Sequence, residues 1–83
     1  MPRKPGNFID THIAKRLRLR RKELGISQSA LAEGLDIRYQ QIQKYEKGTN
    51  RVSASQLYEI SEQLQVPIQW FFEEIDPRDR GNV

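Results

Sequence analysis

Gln40, Gln41, Gln43, Lys44 and Lys47 stand within one stretch of eight residues, and all end in amides or ammonium groups on long stems. Such groups make hydrogen bonds rather than covalent bonds, and they match the donors and acceptors on base edges. At about 100° per residue, a helix that turns Ile42 inward carries Gln40, Lys44 and Lys47 on its opposite side, with Gln41 and Gln43 on the flanks. A plain solvated helix face has the same composition, so the elements around this one decide its meaning. Catalysis has no visible machinery. The chain has one histidine and no cysteine, and Ser27, Ser29, Ser53, Ser55 and Ser61 have no histidine partner in sequence context. No metal cluster or phosphate loop is present either.

The elements that must hold this face are legible from periodicity. Leu31, Ala32 and Leu35 form one short apolar segment, and Ile42, Tyr45 and Glu46 line the inner side of the next. Gly34-Leu35-Asp36-Ile37 separates them and can end one helix and start another, which is the outline of a helix-turn-helix. Upstream, residues 1–9 (MPRKPGNFI) hold two prolines and a glycine and read as an arm. Asp10 or Thr11 then caps a helix running to Leu24, with Gly25 just beyond its end. The stripe of that helix is Ile13, Leu17 and Leu24, and Arg21 shares it. A buried guanidinium without a partner costs about 3 to 5 kcal/mol, so an inward acid is required, and Glu46 is the candidate. Arg16, Arg18, Arg20 and Lys22 are expected to fan over the outside, and Leu19 to point outward. His12, near the start of the helix, reads as a local packing or capping residue.

Ser27 is placed to cap the next helix, leaving Gln28 in its first turn beside backbone N–H groups that favour an anion. Gly48-Thr49-Asn50-Arg51 forms a polar loop. Ser53 and Gln56 have capping-box spacing ahead of a stripe of Leu57, Ile60 and Leu64. Pro67 suits the first position of a last short helix carrying Ile68, Trp70, Phe71 and Phe72. Three successive aromatics span about 200°, more than one domain easily buries. Trp70 and Phe72 are therefore expected on a partner surface, while Tyr45 and Tyr58 read as core or core-edge aromatics. Residues 75–83 form a polar tail.

Eighty-three residues make one domain with a core of roughly 65. No apolar run approaches a membrane span, Met1-Pro2-Arg3-Lys4 leads into no signal-like segment, and the absence of cysteine fits a reducing cytoplasm. The net charge is +3, unevenly spread. Residues 1–25 hold eight Lys/Arg against two acids, and residues 53–83 hold two against six. A basic half facing a polyanion and an acidic half turned away would orient the domain on approach.

From Arg16 to Phe71, the runs RLRLRRKELGISQSALAE, IQKYEKG and VSASQLYEISEQLQVPIQWFF resemble the phage repressor and Cro type of regulators, the Xre family, over about two thirds of the chain. The shared pattern is an arginine in the first helix, Ser-Gln at the second, I-x-x-x-E-x-G closing the third and a leucine-rich fourth. The resemblance implies base contacts from Tyr39, Gln40 and Lys44, and phosphate contacts from Gln28 and the loop Thr49, Asn50 and Arg51. Arg38, Gln43 and Lys47, which flank the same face, are assigned to phosphates as well. It also implies the ion pair of Arg21 with Glu46 already reached from burial. Two departures stand out. Asp36 occupies the turn where the family has glycine, and Arg38 stands where a capping Ser or Thr is usual, so Asp36 is expected to cap the third helix instead.

The expectation is an all-α, five-helix bundle of the lambda-repressor-like kind, with a DNA-binding domain at 10–74. It would act as a cytoplasmic, non-enzymatic regulator of transcription, a repressor by family habit, that binds double-stranded DNA without cofactor or metal. A homodimer would read inverted half-sites. The alternative is an antitoxin or adaptor on the same fold that binds protein through its aromatic C-terminal helix. Single-stranded RNA binding lacks the exposed aromatic platform it needs.

Overall fold

In the computed structural model, which describes residues 7–76 and 78, Asn7 opens the first helix by accepting the Asp10 backbone N–H at 2.9 Å. The helix, α1, spans Phe8–Glu23 and so starts earlier than a cap at Asp10 or Thr11 would allow. Asn7 is the better cap because its amide oxygen reaches the third residue on, leaving Asp10 to favour the positive end of the helix dipole. Residues 1–6 of the expected arm, and all of the expected tail beyond Ile75 except Asp76 and Arg78, lie outside the described residues.

Three more helices follow, α2 (Gln28–Leu35), α3 (Tyr39–Glu46) and α4 (Ala54–Gln63). Ser27 Oγ accepts the Ala30 N–H at 3.0 Å and Ser53 Oγ the Gln56 N–H at 3.1 Å, as the sequence predicts. The fifth element is a 3₁₀ turn, Ile68–Phe72, with Pro67 as its N-cap rather than its first residue. No strand occurs among the described residues.

The four α-helices end alike. Gly25, Asp36, Gly48 and Gln65 each take a left-handed backbone conformation, with φ of 68°, 56°, 74° and 59°. The next residue's N–H then reaches back to a carbonyl in the last turn, as in Ile37 to Ala32 at 3.0 Å and Ile26 to Arg21 at 3.0 Å. Asp36 thus fills the place that favours glycine, which Asp tolerates better than most residues. Gly34 does not break α2. It remains helical, and a Cβ there would meet the tip of the exposed Gln63 side chain of α4 at 2.5 Å, a flexible group that can swing aside.

The apolar stripes meet as their periodicity requires. Leu17 of α1, Leu31 and Ala32 of α2, Ile42 and Tyr45 of α3, and Leu57, Ile60 and Leu64 of α4 form one buried cluster closed by Phe71. Tyr58 is not part of it. It lies 56% exposed on α4, correcting its expected place at the core edge.

Arg16 is the larger correction. Instead of fanning into solvent it is buried, its guanidinium 3.8 Å over the Trp70 ring. Nη2 donates to the Trp70 carbonyl at 2.8 Å and Nη1 to Glu74 Oε2 at 3.0 Å. Arg20 likewise turns inward, Nε donating to the Leu64 carbonyl at 2.9 Å. His12 Nε2 donates to the Glu73 carbonyl at 2.6 Å, a long-range tie rather than a local one. The Arg16 and His12 bonds fasten the 3₁₀ turn and the residues just after it to α1, the Arg20 bond ties in the end of α4, and Trp70 packs partly buried against the core while Phe72 stays 43% exposed. The carboxylates that serve Arg16 belong to the acidic end of the sequence. At its last described residue, Arg78 donates to both Asp76 oxygens and holds that carboxyl below the usual carboxylate range.

Candidate nucleic-acid interface

α3 is only eight residues long, too short to persist on its own propensity, so tertiary anchors must hold it. Ile42 supplies one anchor, fully buried against α2, and Tyr45 a second. The third is polar. Arg21 Nε donates to Glu46 Oε2 at 2.6 Å and Arg21 Nη2 to Glu46 Oε1 at 3.0 Å, with the two side chains 10% and 4% exposed. Arg21 Nη1 donates to the Ile26 carbonyl at 2.9 Å and Gln28 Nε2 to Glu46 Oε1 at 3.1 Å. The network ties α1, the α1–α2 loop, the start of α2 and the end of α3 into one fixed unit. Among the described residues no buried side-chain polar atom lacks a hydrogen-bond partner, so removing either charge alone would strand the other in a desolvated site.

With its inner side fixed, α3 presents Tyr39, Gln40, Lys44 and Lys47 to solvent and Gln41 and Gln43 at half-burial. Gln40 and Lys44 are four residues apart, hence one above the other on the same face. Thr49 is exposed beyond the helix, its N–H bonded to the Lys44 carbonyl at 3.0 Å, and Asn50 is half-buried. Arg38 is exposed at the N-cap with no side-chain bond closing the helix start. Asp36 therefore does not cap α3, because its backbone is committed to ending α2.

Two expected phosphate ligands are partly engaged inside the protein. The Gln28 amide nitrogen serves Glu46, and Arg51 Nε donates to Asp10 Oδ2 at 2.9 Å. Between α1 and α3 a cleft of about 290 Å³ opens on the same side of the molecule, lined by Arg18, Gln28, Gln43, Glu46 and Lys47. Of Arg18, Arg20 and Lys22, the first-helix cations that could reach a duplex only from the side facing the helix-turn-helix, Arg18 lines this cleft. The signal that could have marked it is its place one turn before Arg21, which directs it toward α3.

The helix-turn-helix family model matches residues 17–71. An uncharacterized HTH-type transcriptional regulator of Sinorhizobium medicae is 57% identical over 81 residues, which cover 98% of this chain and 58% of that protein. A transcriptional regulator in the ATPase CF(0) region of Rhodospirillum rubrum is 47% identical over 78 residues, 90% of this chain and 72% of its own. The chain spans somewhat over half the length of the first of these relatives. Among solved structures, hydroxypropylphosphonic acid epoxidase from S. wedmorenis matches with a TM-score of 0.73 at 24% identity, over 80% of this chain and 35% of that one, a likeness of fold alone. Among the described residues no helix is long and apolar enough to cross a membrane.

Proposed function

Because this chain belongs to the Xre-type helix-turn-helix family of transcriptional regulators, we propose that it binds double-stranded DNA sequence-specifically by laying α3 in the major groove. The observation that carries the proposal is the two-sidedness of α3, with Ile42, Tyr45 and Glu46 held inside while Gln40 and Lys44 project together from the outside. Gln40 suits an adenine through N6 and N7, Lys44 suits guanine O6 and N7, and each such pairing discriminates by about 1 to 3 kcal/mol. Tyr39 stands beside them at the start of the helix. Arg38, Gln43, Lys47, Thr49 and Asn50 border this face, where contacts to phosphate would fix register without reading sequence. Gln28 and Arg51 join them by exchanging or sharing their internal partners.

Repression is the mode of regulation proposed, by occupying a site other proteins need, in the cytoplasm. Two copies related by a twofold axis would set their α3 helices about 34 Å apart, so the operator would carry inverted half-sites about 10 base pairs centre to centre. Exposed Phe72 supports a subunit contact; Trp70, covered by Arg16, would contribute only its outer edge.

Titration of a mixed-sequence duplex at several salt concentrations tests the electrostatic part of the proposal. Log affinity should fall linearly with log salt as condensed counterions are released. Absent or salt-insensitive binding would instead favour a protein-interaction module on this fold.

A further inference from the structure

Four arginines lie within α1, and three are spoken for. Arg16 serves Trp70, Glu73 and Glu74, Arg20 serves Leu64 and Glu23, and Arg21 serves Glu46. Arg18 forms no ion pair among the described residues, is exposed, and lines the cleft that separates α1 from α3. Lys47, also without an ion pair among the described residues, lines the same cleft. The one acid there, Glu46, has its Oε2 held by Arg21 and its Oε1 by Arg21 and Gln28, so its charge is balanced from within. Arg18 and Lys47 together therefore leave the cleft with an excess of two positive charges beside the side-chain amides of Gln28 and Gln43.

Resting on the DNA-binding reading above, we infer that Arg18 is a backbone-phosphate ligand, closing the cleft around a DNA phosphate from the α1 side while Lys47 holds it from the α3 side. A planar guanidinium with several donors on one edge suits a phosphate oxygen pair, and Arg18 is the α1 arginine whose edge is not already committed. The contact makes α1 a third helix touching the duplex, beside α2 and α3. Its effect is on affinity and register, not on which bases are preferred.

The test compares wild type, Arg18→Gln, Arg18→Lys and Lys22→Gln on one mixed-sequence duplex across a range of salt. Lys22 is the control, an exposed cation on the same helix outside the cleft. Arg18→Gln should bind more weakly, with a salt slope shallower by about 0.9 per bound protomer. Arg18→Lys should keep most of the slope and Lys22→Gln nearly all of it, with all three melting like the wild type. If wild type binds but Arg18→Gln leaves affinity and slope unchanged, or Lys22→Gln lowers the slope as much, the phosphate contact is overturned while DNA binding stands. If wild type binds no duplex, the DNA-binding reading falls first and this contact with it.

Discussion

Arg21 and Glu46, 25 residues apart in sequence, meet through two parallel hydrogen bonds of 2.6 and 3.0 Å on the inner side of α3. The pair joins α1 to the last turn of α3, so the helix that carries Gln40 and Lys44 is braced at the end opposite its N-cap. Glu46→Ala would leave the Arg21 guanidinium buried and unpaired. The expected loss is about 3 to 5 kcal/mol, a fall in melting temperature of at least about 12 °C. The double variant Arg21→Met/Glu46→Leu should recover much of that loss, which chemical denaturation of the wild type and the two variants would show.

Arg16 should behave like a core residue. Its substitution by alanine removes the stacking over Trp70 and the bonds to the Trp70 carbonyl, costing about 2 kcal/mol. Trp70 is the chain's single tryptophan, so its fluorescence reports the change without interference. A red shift in emission is expected before any change in helix content.

The left-handed residue at the α2–α3 turn gives a separate prediction. Asp36→Val should destabilise by about 1 to 2 kcal/mol, because a β-branched residue resists positive φ. Asp36→Gly, at the same position, should leave the unfolding midpoint unchanged or raise it slightly. Equal effects of the two would show that backbone conformation is not what Asp36 supplies.

Phe71 and Phe72 are adjacent in sequence and opposite in environment, one wholly buried and the other 43% exposed. Phe71→Ala should cost about 3 to 5 kcal/mol by opening a cavity in the core. Phe72→Glu should change stability by no more than about 0.5 kcal/mol but shift sedimentation toward monomer, if the subunit contact runs through that ring.

The apolar stripes of α1, α2, α3 and α4 and the Arg21–Glu46 pair were legible because each follows from helical period and the cost of a buried charge. Arg16 was not. In the run RLRLRRKE the charges alternate with leucines, and position on α1 alone cannot tell Arg16 from Arg18. What separates them is the segment Trp70 to Glu74, more than 50 residues away, which brings a carbonyl, two carboxylates and an indole to Arg16 and no hydrogen bond to Arg18 among the described residues. Asn7 was missed as a cap because Asn, Asp and Thr are all capping types, and residue type alone does not choose among Asn7, Asp10 and Thr11. The last element, packed against α1 by long-range contacts, takes a 3₁₀ form that its apolar spacing does not distinguish from an α-helix. Tyr58 shows the reverse error, an aromatic at the right spacing for the core edge that faces solvent.

Selection of bound duplexes from a random pool, run in parallel with wild type and with Gln40→Ala and Lys44→Ala, tests most directly whether the outer face of α3 reads base edges. The wild type should enrich inverted half-sites centred about 10 base pairs apart, and each variant should lose preference at one position per half-site while keeping the spacing. No enrichment at all, or the same motif returned unchanged by both variants, would contradict it.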